Sequence, residues 1–165
     1  MLNISLKLKL AAVALMALLI TGCGGSTTVA DVPNNFSGNY TGTVNNQAGG
    51  SDPATLNLIQ SSSTTGTGDA AVTTITVRGF LVISPSTTCE VSIDITEGTA
   101  NINSIILTLG SSTVTNENGD DVETTTTDSG DMALTSSGNA LTGNIRFTGD
   151  VNNCPRPSGA VSFFR

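Results

Sequence analysis

The sequence predicts an all-β domain, an antiparallel up-and-down meander closing into a small β-barrel, with a β-sandwich as the alternative. Three observations carry this. From about residue 35 onward apolar residues fall in period-2 runs, so each run has one face for a core and one for water. Gly, Ser, Asn and Pro separate the runs at short intervals, which suits hairpins between neighbouring strands. Finally, no helical apolar stripe and no Ala-Leu-Glu-Lys-rich segment follows residue 22.

The first strand runs from Phe36 to Val44. Phe36, Gly38, Tyr40, Gly42 and Val44 share one face, opposite Ser37, Asn39, Thr41 and Thr43. Glycine weakens a strand, so two on the buried face predict close approach of another backbone or strong coiling, as a small barrel requires. A Gly49-Gly50-Ser51-Asp52-Pro53 turn precedes a strand over 55–60, and 61–68, rich in Ser, Thr and Gly, reads as a loop. Residues 71–83 form one long strand with Ile75, Val77, Gly79, Leu81 and Ile83 in phase and a bulge or bend at Arg78-Gly79. In 89–96, Cys89, Val91, Ile93 and Ile95 alternate with Glu90, Ser92, Asp94 and Thr96. Further strands are expected at 100–109, 112–117, 122–127, 131–135, 140–150 and 159–164. The Phe36-Ser-Gly-Asn-Tyr-Thr-Gly-Thr opening and the closing Gly159-Ala-Val-Ser-Phe-Phe strand resemble small bacterial lipocalin-like lipoproteins. Their barrel begins with a Gly-x-aromatic strand after a lipidated tether; Tyr40 stands where true lipocalins carry Trp.

Ahead of the domain, Lys7 and Lys9 precede an unbroken apolar run from Leu10 to Ile20. A short basic segment followed by a brief apolar core has the physical character of a secretory signal peptide. The run is shorter than the about 20 residues a permanent anchor needs. Its ending, Leu19-Ile20-Thr21-Gly22-Cys23, resembles the lipobox of bacterial lipoproteins. The resemblance implies cleavage before Cys23, lipidation of its thiol and acylation of the new amino group. Two or more acyl chains hold a protein to a bilayer stably, so the implied partner is the lipid bilayer, reached through acylated Cys23. Gly24 rather than Asp follows the cysteine, which within that family points to the outer membrane of a Gram-negative envelope. Residues 1–22 are then the signal peptide, 23–34 the lipidated Cys and a flexible tether, and 35–165 one domain. A tether of that length has a root-mean-square reach of roughly 18 Å.

Cleavage removes two of the six basic residues and leaves Arg78, Arg146, Arg156 and Arg165 against 13 acidic groups, a net charge of −9. Four scattered arginines cannot neutralise a run of phosphates, so no nucleic-acid partner is expected. Lipidation of Cys23 leaves Cys89 and Cys154, which in an oxidising compartment most simply pair. A metal site there would lack His and any Cys-x-x-Cys, and a catalytic thiol would lack a His to activate it.

The mature chain contains no Lys and no His. That excludes Ser-His-Asp, Cys-His and Ser-Lys arrangements, Schiff bases and His-ligated zinc, so neither an enzyme nor a cofactor is expected. Paired carboxylates remain, as in glycosidases. Glu90 and Asp94, however, are four strand residues or some 13 Å apart on the polar face. Asn118-Gly119 signals a type I′ hairpin in which Glu117 faces Asp120 and Asn116 faces Asp121. The crowding makes Glu117, Asp120 and Asp121 a weak Ca²⁺ candidate. It fails the EF-hand pattern, because Gly119 at the EF-hand glycine puts Val114 first and Thr125 last. The buried face, with Phe36, Tyr40, Val91, Ile93, Ile95, Leu141, Ile145 and Phe147, either lines a cavity for a small hydrophobic ligand or fills the core. Two non-catalytic functions follow: holding such a ligand, or acting through the surface around a solid core as an envelope structural or interaction protein.

Overall fold

The computed structural model describes residues 34–67, 71–86, 89–116, 121–124, 130–149, 151 and 154–165. Period-2 patterning becomes nine strands: β1 (Gly38–Asn46), β2 (Ser51–Thr65), β3 (Val72–Ser86), β4 (Cys89–Ala100), β5 (Ser104–Asn116), β6 (Asp121–Thr124), β7 (Gly130–Ser137), β8 (Ala140–Phe147) and β9 (Pro157–Phe164). Each of β1 to β5 pairs antiparallel with its successor, β5 pairs with β7, and β7, β8 and β9 continue the meander. The ladder closes where β9 pairs with β1, Thr41 opposite Phe164 and Val44 opposite Val161. The result is a closed eight-stranded up-and-down barrel and not a sandwich. The ninth strand, β6, shares with β7 one edge of β5, at Ser112–Thr115, while β7 takes Ser104–Leu109.

Inward positions are apolar and outward positions mostly polar, the reverse of a membrane-crossing barrel, whose outer band must be apolar. On β2, Ala54, Leu56 and Leu58 point in while Thr55 and Ile59 point out; on β4, Val91, Ile93 and Ile95 point in while Glu90 and Asp94 point out. The expected close approach in β1 is present at Gly42: a Cβ there would sit 1.9 Å from the Ser162 carbonyl oxygen of β9. Gly143 on β8 meets the Ala133 oxygen of β7 in the same way, at 1.8 Å. Inward glycines let these neighbouring backbones coil past each other.

Four local expectations are corrected. Residues 61–65 are strand, not loop, because Thr- and Ser-rich stretches pair well: Ser61 bonds Thr76 and Thr64 bonds Thr73 across the hairpin. Pro53 lies within β2 rather than in the turn: it stands opposite Thr43 of β1, one residue before the β2–β3 ladder begins at Ala54. No register shift occurs at Arg78-Gly79, which pair regularly with Ile59 and Leu58. The expected pair of strands at 100–109 and 112–117 is one strand, β5. Its inward phase switches from Ile105, Leu107 and Leu109 to Ser112 and Val114 across a bulge at Gly110-Ser111, so a period-2 reading breaks there.

Two ends result. At the Phe36 end lie the start of β1, the β4–β5 turn, the β7–β8 turn and the end of β9. The β2–β3 hairpin continues beyond it as a two-stranded ribbon: β1 pairs with β2 only to Leu58 and β4 with β3 only to Gly79. At the other end, the disulfide end, lie the β1–β2 turn, the start of β4 and the β8–β9 connection. Gly42→Ala is expected to destabilise the barrel by about 2–3 kcal/mol, the cost of overpacking against an immovable backbone. Urea denaturation measures it; a loss below about 0.5 kcal/mol would show that β1 and β9 can separate freely.

Candidate functional site

The Phe36 end is sealed by chain segments that sequence alone does not place together. Asn34 donates its backbone N–H to the Ile102 carbonyl at 3.1 Å and its side-chain amide to Asn103 at 2.9 Å, fixing the chain across the β4–β5 turn. Phe36 then enters the barrel, 1% exposed, and its N–H bonds the Gln60 side chain at 2.9 Å. The Tyr40 hydroxyl donates to the Phe36 carbonyl at 3.0 Å and accepts from the Arg165 guanidinium at 2.8 Å. That guanidinium lies 4.9 Å from the Tyr40 ring centroid and also bonds the Ser37 and Asn35 carbonyls. One cation thus ties the last residue of the sequence to the first strand through carbonyl bonds and a cation–π contact.

The disulfide end is closed differently. Cys89 opens β4 and Cys154 lies in the β8–β9 connection; they are disulfide-bonded, with Cα atoms 6.0 Å apart at a sequence separation of 65. Around the barrel β4 is separated from β8 by β5 and β7, so the bond draws the connection across the opening. Val151 is buried beneath it, and Cys154 donates its N–H to the Val151 carbonyl. Beside it Asn46 donates its amide to buried Asp52 at 2.8 Å, while its oxygen accepts from the N–H groups of Ala48 and Gly50, which shapes the β1–β2 turn.

Between these ends the predicted cavity residues come together, but as filling. Phe36, Tyr40, Val91, Ile93, Ile95, Leu141, Ile145 and Phe147 all belong to one buried cluster, none more than 4% exposed. The wall of a ligand-sized cavity is open to a water-sized probe even when the cavity is sealed, and these walls are not. Among the described residues, two hollows lie at the surface. One, of about 110 Å³, sits between the Asn34-Asn35 segment, the β7–β8 turn and Arg165. The other, of about 240 Å³, lies over Thr41, Pro53, Thr55 and Val82 on the outer face. Both are smaller than the roughly 300–1,000 Å³ of a typical small-molecule site.

The remaining candidates are dispersed. Glu90 and Asp94 lie on the outer face of β4, where the hydroxyls of Ser84 and Ser111 donate to them at 3.3 and 2.9 Å. Asp121 pairs with Thr115 instead of Asn116, one residue off the register of a two-residue Asn-Gly turn. This register sets Val114 opposite Val122. Glu117, Asp120, Cys23 and the signal segment lie outside the described residues. Among the described residues no group of three or more His, Cys, Asp or Glu is placed to hold a metal ion. No protein-family model, curated protein or solved structure matches the chain.

Replacing both Cys89 and Cys154 by Ala removes a crosslink that, for a loop of this length, is worth about 4 kcal/mol in the chain-entropy model. For a domain of this size the melting temperature should fall by roughly 10–15 °C. Calorimetry of the oxidised protein and the double variant measures the difference.

Proposed function

We propose that this is a bacterial envelope lipoprotein, held to the outer membrane through acylated Cys23, whose barrel is non-catalytic and acts through its surface around a solid core. The filled interior carries the choice of surface over ligand: the side chains that would line a pocket are packed against one another. Chemistry supports the absence of catalysis, since the mature chain has no His or Lys from which to build a base, a Schiff base or a relay. The Cys89–Cys154 bond suits an oxidising extracytoplasmic space. The surface that remains for partners is dominated by Thr, Ser and Asn on the outward positions of the strands.

Two measurements test the reading. In native mass spectrometry the soluble domain, Gly24 to Arg165 taken from the periplasm, should show one clean mass, unchanged by organic extraction. Extra mass that extraction removes would replace the solid-core reading with the hydrophobic-ligand one. The full chain expressed with radiolabelled palmitate should take up label and Cys23→Ser should abolish it; an unlabelled wild-type chain, or labelling that survives the substitution, would overturn the lipid anchor.

A further inference from the structure

We infer that the barrel stands on the bilayer on its Phe36 end, with Ile59, Val72 and Ile102 in the lipid interface and the disulfide end directed away. The inference rests on the lipid-anchor reading above and names the surface that such an anchor brings against the membrane.

The first support is where the chain arrives. Asn34 is pinned at the Phe36 end by its bonds to Ile102 and Asn103. From there to Cys23 the sequence leaves 11 positions rich in Gly, Ser and Thr, for which the expected average reach is roughly 18 Å. An eight-residue strand is already ~26 Å long, more than that average reach, so a tether of this length favours the Phe36 end over the opposite one at the membrane.

The second is the placement of exposed apolar side chains. Six large ones are exposed among the described residues, and four are at this end: Ile59 (63%), Val72 (61%), Ile102 (46%) and Phe164 (54%). Ile59 and Val72 belong to the ribbon that extends past the barrel, whose described stretches 59–67 and 71–77 carry no charge. Asp69, between them, lies outside the described residues. Uncharged Thr, Ser, Ile and Val suit the boundary between headgroups and acyl chains, where an apolar side chain gains and hydroxyls stay hydrated.

Charge supplies the third. The Phe36 end carries Arg78 and Arg165 against Glu97, whereas the disulfide end carries Asp52, Glu90, Asp131 and, on β6, Asp121 and Glu123 against Arg146 and Arg156. An anionic leaflet therefore repels the disulfide end and tolerates the Phe36 end.

The chain contains no Trp, so one introduced Trp reports alone. Single variants Ile59→Trp, Ile102→Trp and, at the far end, Glu90→Trp are prepared as full-length lipidated protein. They are placed in phosphatidylethanolamine–phosphatidylglycerol vesicles with brominated acyl chains. Trp at 59 and at 102 should emit at shorter wavelength and lose at least half its intensity relative to unbrominated vesicles, with Trp at 90 unchanged. If the protein does not float with the vesicles, the anchor reading falls and the orientation with it. If it floats but Trp at 59 and 102 is quenched no more than at 90, the orientation is wrong and the anchor stands. A blue shift without quenching assigns this end to a second copy of the chain and overturns the inference. Val72→Trp, at an equally exposed position, replaces Ile59→Trp should that variant fail to melt cooperatively.

Discussion

The ladder between β1 and β9 is the contact on which the rest of the molecule depends. Without it the sheet would end in two open edges, each a row of unpaired N–H and C=O groups inviting another chain. With it the strands enclose a fixed interior volume, and every other requirement follows from filling that volume. Leu56, Leu58, Leu81, Ile93, Leu107 and Phe163 take up the space at close to zero exposure. Gly42 and Gly143 give it up where neighbouring backbones press inward. An eight-stranded barrel is just narrow enough for side chains alone to complete the core, which is why closure and a solid interior arrive together here.

The two ends of such a barrel are its weak points, since strands there stop covering the core. This protein closes them by unlike means. At one end an aromatic plug is held by a guanidinium that bonds backbone carbonyls around it and lies against the Tyr40 ring. At the other a covalent bond holds the β8–β9 connection over Val151. The first closure depends on residues from both extremities of the domain, Phe36 and Arg165; the second depends on the oxidation state of the compartment.

Most of the architecture was legible from alternation alone, because a half-buried strand writes its two faces directly into odd and even positions. What alternation missed has a physical cause in each case. Gly110 hides the continuity of β5, since a bulge shifts the inward phase from odd to even and imitates a strand end. Ser61 to Thr65 reads as loop because no apolar residue marks it, although hydroxyl side chains pair across a hairpin without a core. The buried face was identified residue by residue, but whether Val91 or Phe147 lines a void or fills it depends on how strands coil, which only three-dimensional closure decides. The partnership of Tyr40 with Arg165 was invisible for a related reason: 125 positions separate them, and no local pattern encodes a contact made by ring closure.

The position of the disulfide bears on how the ring is assembled. β1 cannot meet β9 until almost the whole domain is available to fold, and ladders between such distant segments form slowly, with apolar strands exposed meanwhile. Cys154 lies immediately before β9, and Cys89 roughly midway between β1 and β9. A bond made early between them short-circuits the path from Thr41 to Phe164 to about half its contour, lowering the entropic cost of closure by roughly 0.6 kcal/mol. Oxidation then serves the order of assembly as well as the finished fold: the crosslink delivers the last strand to the neighbourhood of the first.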